Sequence, residues 1–416
     1  MNKVINTPLR RETRRTWGIL DIAVCLLIVT SVSLYDVKLV FLGMQAVAFS
    51  VVGLYVVANP KSVRGLALHY LLWLVVFTFY GALSSLWAAR ENATALSVTF
   101  SVLQVGLVAF CVMFYAVYAK RMNRILYSFI AAAMVFCVRF FITVPSSMWG
   151  QAERFEDFGI FGSNMPAMVM AYGSIILVWM CFFSPQKIKR KLPALACVTL
   201  FMMISILMGT RKSLLIFGVA VILFMLGSAK NPVKLAWRLL LIGGAAVGAY
   251  LMMMNIPLLY NSIGYRMESL FQLFGGGEAD ASAVARANHI ESALRLFQEH
   301  PIFGAGQDGY RYTTRILTYS HNNYVELLAN LGITGFSLYY VIYIRLLSRS
   351  VQIFKKNMLP VAFILAILIS DIGVVSYSSE LIYVVVGMVV GMLSLADVQS
   401  TYQSLASEPE QKAANV

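Results

Sequence analysis

Apolar residues in this chain come in long blocks separated by short polar breaks. A membrane-crossing helix needs roughly 20 predominantly apolar residues. Blocks of that kind recur near residues 17–35, 38–58, 65–88, 94–118, 125–144, 163–183, 192–209, 211–228, 236–255, 322–344, 358–375 and 378–396. The pattern predicts an all-α, polytopic integral membrane protein of about 12 transmembrane helices. Residues 256–320, between the ninth and tenth blocks, are too polar to cross and too long for a simple connector. An amphipathic run from Ile256 to Phe274 breaks at Gly275-Gly276-Gly277, and a second helix is predicted from Ser282 to Glu299, stopped by Pro301. Ala283, Ala287, Ile290, Leu294 and Phe297 follow helical spacing and are expected to pack down on the bundle, making this loop a cap.

Composition supports that picture and charge orients it. Of 416 residues, 59% are hydrophobic and 12% charged, and the mean hydropathy is +0.75. The net charge of +14 does not point to nucleic acid, because Lys and Arg separate apolar blocks instead of lining one amphipathic face. They follow the positive-inside rule. Arg10, Arg11, Arg14 and Arg15 precede the first block, and every second loop repeats the signal, with Lys61 and Arg64, Lys120 and Arg121, Lys187 to Lys191, Lys230 and Lys234, and Arg345 to Lys356. Both termini are therefore expected in the cytoplasm. The chain divides into a basic N-terminal segment (1–16), helices 1–9 (17–255), an extracytoplasmic cap loop (256–320), helices 10–12 (321–396) and a cytoplasmic tail (397–416). The first block lacks a small-residue cleavage site and reads as a retained helix. Cys25, Cys111, Cys137, Cys181 and Cys197 all lie in apolar blocks without ligand spacing, so neither a disulfide framework nor a metal site is indicated.

The candidate chemistry gathers in the segments expected outside. His321 follows Ser320, a suitable N-cap, at the mouth of the tenth block, where the positive end of the helix dipole favours a neutral imidazole able to accept a proton. Arg211 and Lys212 fall in the first turn of the eighth block, so that cations and helix amides together suit an anion. Arg295 has Glu291 and Glu299 four residues away on either side and reads as an ordinary salt-bridged face. Arg286 has no acid at helical spacing and lies on the opposite face from Arg295. His289 shares the face of Arg286; Arg311 and Arg315 precede His321, and Asn322 follows it. Each residue taken singly is as well explained as a helix cap or an arginine anchored to lipid phosphate. Together they suggest a site that binds a phosphorylated headgroup and moves one proton.

Other features carry less. Gly304-Ala305-Gly306-Gln307-Asp308-Gly309 follows a helix instead of a strand, which argues against a dinucleotide site. Glu278 and Asp280 read as a solvated turn beside the glycines, not as metal ligands. Asn92-Ala93-Thr94 is a bare sequon. Trp149, Phe155, Phe158 and Phe161 read as an interfacial aromatic belt. Arg139, Asp371 and Glu380, near block ends, are expected to line a cavity, since they are costly facing lipid.

Three strings resemble one family. His321-Asn322 with Gly332 and Gly335, Gly209-Thr210-Arg211-Lys212-Ser213-Leu214-Leu215, and the run from Arg286 through His300-Pro301-Ile302-Phe303-Gly304-Ala305-Gly306 to Tyr310 are similar to motifs of the O-antigen polymerase and O-antigen ligase superfamily. The resemblance covers about residues 200–345. It implies a multi-pass glycosyltransferase of the cytoplasmic (inner) membrane, active on its outer face, which transfers an undecaprenyl-diphosphate-linked glycan to an acceptor glycan or glycolipid with inversion, without metal or other cofactor. By the same resemblance Arg211 and Arg286 would hold the diphosphate and His321 would act on the acceptor hydroxyl, with Lys212, His289, Arg311, Arg315 and Asn322 as secondary contacts. A flippase and a chain-length regulator would be partner proteins. The wording around Asn323-Tyr324-Val325-Glu326 and Asp371-Ile372-Gly373 looks closer to surface-polysaccharide polymerases than to ligases or protein glycosylating enzymes. A lipid-linked oligosaccharide flippase is the alternative of another class; it should show repeat symmetry and midplane polarity, which the sequence does not.

Overall fold

The computed structural model describes residues 17–89, 92, 94–149, 165–184, 191–229, 231–265, 267–268, 281–316 and 318–414. The expectations placed on the N-terminal arginines, Phe155, Phe158, Phe161, Lys187, Lys189, Lys230, the end of the run to Phe274 (residues 269–274), the three glycines, Glu278 and Asp280 lie outside the described residues.

The described residues form an all-helical, multi-pass membrane protein. Nine helices are long and apolar enough to cross a bilayer, and three shorter apolar helices, Ile19–Ser33, Lys191–Leu207 and Leu359–Ser370, stand among them. In chain order we label α1 Ile19–Ser33, α2 Lys38–Ala58, α3 Leu66–Leu83, α4 Ala95–Ala119, α5 Met122–Thr143 and α6 Met165–Phe183. There follow α7 Lys191–Leu207, α8 Arg211–Ser228, α9 Pro232–Asn255, the cap helix α10 Ala281–Glu299, α11 Asn323–Gln352, α12 Leu359–Ser370 and α13 Glu380–Ala414. Local chemistry sets several ends. Asn231 caps α9 by accepting from the Val233 amide at 2.9 Å, with Pro232 at the first helical position. At the α7–α8 corner Gly209 takes φ +63, and α8 opens two residues later.

Helix α13 packs along α4, α6 packs between α7 and α8, and α11 packs on α3 and under the cap helix. Lipid is as apolar as these side chains, so close packing and satisfied polar groups, not exclusion from water, hold such helices together. The buried charges illustrate this. Arg139, half-buried near the end of α5, grips the Asp36 carboxylate at 2.6 and 2.9 Å. Asp371 is fully buried and hydrogen-bonded within the fold.

The largest departure from the sequence pattern is in α11. It is long enough to cross a bilayer, with His321 just before it, but it is not continuous: Gly332 takes φ +64 and ψ −171 and divides it into Asn323 to Leu331 and Ile333 to Gln352. The His300 to Ala305 segment docks into the break. Ile333 N donates to Pro301 O at 2.9 Å, Thr334 N to Ile302 O at 3.2 Å, and Ala305 N to Ala329 O at 2.9 Å. Tyr80 Oη donates to the Leu331 carbonyl at 3.0 Å. Groups released by breaking a helix inside an apolar protein need new partners, and the loop and Tyr80 provide them. A Cβ at Gly332 would stand 2.3 Å from Ile302 O, and one at Gly304 would stand 2.4 Å from the Asn330 carbonyl. Gly304, in the glycine string after Pro301, therefore serves close backbone approach. The sequon belongs to the same docking: Asn92 Nδ2 donates to Gln307 O at 2.8 Å and the Thr94 hydroxyl donates to Asp308.

Candidate functional site

The cap helix lays one face on the first segment of α11. Ala293 and Leu296 are fully buried with Ile290 packed beside them, against Tyr310, Val325 and Ala329. Leu294 is 40% exposed and Ala287 is exposed, so the inward stripe is rotated from the one expected. Positions 286, 289, 290, 293 and 296/297 share that inward face by helical spacing, and Arg286 and His289 are both half-buried. Arg295 lies on the outer face, 72% exposed and paired with Glu291 at 2.6 Å, as its spacing predicts.

The inward stripe brings His289 to His321, their ring centroids 5.9 Å apart. Tyr310 Oη donates to His289 O at 3.1 Å and so ties the cap helix to the loop below it; burial raises the Tyr310 phenol to about 12. His321 itself takes φ +58, a left-handed conformation that few side chains adopt and that tends to occur where surrounding bonds enforce it. Those bonds are present. Glu326 reaches back to accept from Ser320 N at 2.7 Å, and Ser320 Oγ donates to Asn322 O at 3.0 Å. The N-cap is Asn322, not Ser320, since Asn322 Oδ1 accepts from Tyr324 N at 3.0 Å and Val325 N at 3.2 Å. Tyr319 packs edge-on against the imidazole at 5.4 Å.

Asn323, which sequence reasoning did not single out, joins this turn to the loop after α12. Its Oδ1 accepts from Ser376 N at 2.9 Å and Tyr377 N at 3.1 Å, its backbone N donates to Asp371 O at 2.8 Å, and its Nδ2 donates to Tyr340 Oη at 2.9 Å. The Lys212 ammonium donates to the Gly373 carbonyl in that same loop. The start of α8, with Arg211 and Lys212, is thus fastened to the segment that holds Asn323, two residues from His321. The Thr210 hydroxyl does not cap α8; it lies 3.0 Å from Ser213 Oγ.

Arg311 and Arg315 stand in different surroundings. The short helix that carries Arg311 ends at Thr313, and Arg315, beyond it, is exposed with φ +56. Arg311 is bound to Asp308 at 2.5 and 2.7 Å, a pairing that raises its pKa above the usual guanidinium value. Arg311, Asp308, Tyr319 and Glu326 line a cavity of about 190 Å³ together with Tyr377 and Ser378. A signal for this polar layer exists in the sequence: Asn323, Glu326 and Asn330 form a polar stripe at helical spacing in an otherwise apolar helix, and all three are buried.

The arrangement defines a multi-pass membrane protein in which a helix-end histidine meets His289 of a helical cap whose same face carries Arg286. Residues 195–340 match a family model described as O-antigen ligase, a span that holds Arg211, Lys212, Arg286, His289, Arg311, Arg315, His321 and Asn322. The likeness to the O-antigen ligase domain family, polytopic membrane glycosyltransferases of polysaccharide biosynthesis, lies in that stretch of the chain. The flippase alternative gives way to that match. No curated protein matches the chain.

Proposed function

We infer that this enzyme is a surface-polysaccharide polymerase that moves an undecaprenyl-diphosphate-linked glycan onto an acceptor sugar hydroxyl at the outer face of the cytoplasmic membrane, in a bundle of 12 spans formed by the nine long and three shorter apolar helices. The observation that carries the reading is the approach of His289 and His321 to 5.9 Å, with Arg286 one turn away on the same inward face. His321 takes the acceptor hydroxyl proton while that oxygen attacks the anomeric carbon from the side opposite the diphosphate. The bond from that carbon to the phosphate oxygen breaks, its electron pair passes to the diphosphate, and the configuration inverts. Arg211 and Arg286 hold the leaving group and offset its charge, the kind of electrostatic help worth about 10²–10³ per donor. Lys212, committed to Gly373, sets the position of α8, and Arg311, neutralised by Asp308, contributes little to holding phosphate.

The choice between polymerase and ligase rests on what accumulates on the carrier lipid in cells lacking the enzyme. A polymerase deletion leaves single repeat units on undecaprenyl diphosphate; finished long chains there would make the protein a ligase to lipid A core. Topology is tested separately. A cysteine at Glu299, exposed at the end of the cap helix, should react with an impermeant maleimide in intact cells, and reaction only after lysis would reverse the orientation drawn from the loop charges.

A further inference from the structure

The cavity beside the His321 turn does not suit a phosphate. Its wall carries the Asp308 and Glu326 carboxylates against one cation, Arg311, whose charge Asp308 already meets at 2.5 Å. A dianionic group placed there would face an excess of negative charge in a buried setting, where repulsion is poorly screened. The same wall suits a neutral polyol. Carboxylate oxygens accept from sugar hydroxyls, while the guanidinium and the Ser378 hydroxyl donate to them. Tyr319 forms part of the wall and its ring lies 5.4 Å from that of His321, so a molecule in the cavity is one ring away from the imidazole. The volume of about 190 Å³ accommodates one sugar ring and not an oligosaccharide.

We propose that this cavity is the acceptor-sugar subsite, in which Glu326, Asp308, Arg311 and Ser378 read the hydroxyls of the single sugar residue whose free hydroxyl is turned toward His321. The assignment rests on the transferase reading above and deepens it: the diphosphate is held on the α8 and cap-helix side, and specificity for the acceptor is set by the Asp308–Arg311 pair, Glu326 and the turn before α13. It also gives Glu326 two duties, since the carboxylate that lines the cavity is the one that pins Ser320 and hence the His321 turn.

Ser378→Phe tests it. Ser378 sits in the turn before α13, and no hydrogen bond among the described residues uses its side chain, so the new ring fills the cavity without removing a bond. With purified protein, a lipid-linked donor and a separate acceptor glycan, the KM for acceptor should rise at least tenfold while the KM for donor stays within twofold. An unchanged acceptor KM, or a rise in donor KM instead, overturns the assignment. If transfer is lost altogether, direct binding of undecaprenyl diphosphate decides: retained binding supports an acceptor defect, and lost binding refutes it. Arg286→Ala, run alongside, separates the two levels. Normal transfer by Arg286→Ala removes the underlying reading, whereas its inactivity combined with an unaffected Ser378→Phe removes only the subsite.

Discussion

Replacing His321 by alanine should lower chain transfer by about 10²–10⁴, the range of a positioned general base, while protein in the membrane stays at normal level. Arg286→Ala and Arg211→Ala should each cost about 10²–10³. Arg211→Lys should also be strongly impaired, because an ammonium does not reproduce a two-pronged grip on diphosphate. The control is on the same helix as Arg286. Arg295 is exposed, and its pairing with Glu291 is of the surface kind that contributes little, so Arg295→Ala should keep most activity. Measurement of lipid-linked donor turnover by purified variants, with membrane abundance checked by immunoblot, reads all of these. If His321→Ala, Arg286→Ala and Arg211→Ala combined still build polymer of normal length, the imidazole and the two guanidinium groups are structural.

The second large effect is on stability. Gly332→Ala should destabilise the protein by about 3 kcal/mol or more, from the left-handed backbone position together with a clash that only backbone movement can relieve. The new Cβ would meet Ile302 O at 2.3 Å and Gly304 N at 2.6 Å. Relief means undocking the His300 to Ala305 segment, which would leave the Ile333 and Thr334 amides without partners and release the cap from α11. Thermal unfolding in detergent should show a large drop in midpoint. Gly218→Ala, in α8 where a Cβ meets nothing within 4 Å, should leave the midpoint unchanged or slightly raised. A Gly332→Ala protein with the parental midpoint would mean that the break in α11 is not needed for the docked loop.

The amino-acid sequence by itself determined the helices and the cap. Within a bilayer each span must satisfy its own backbone, so length and hydropathy suffice, and the expected block 211–228 returns as Arg211–Ser228 while the expected Ser282 to Glu299 helix returns as Ala281–Glu299. The separation of Arg286 from Arg295 was legible for the same reason: a helix fixes which residues share a face. Which stripe of the cap turns inward was not, because Ala287 and Leu294 present a period as good as Ala293 and Leu296, and only the surface made by Tyr310, Val325 and Ala329 decides between them. Tertiary structure alone decided the rest. The break at Gly332 depends on carbonyls about thirty residues earlier, the N-cap passed to Asn322 because Ser320 is held by Glu326, and Arg311 is neutralised by an Asp308 that the sequence offered only as part of a glycine string. These are pairings between buried polar groups distant in the chain or hidden in apolar runs. No local period encodes them, since each exists only once the loop from Pro301 to Tyr310 has packed into the broken helix.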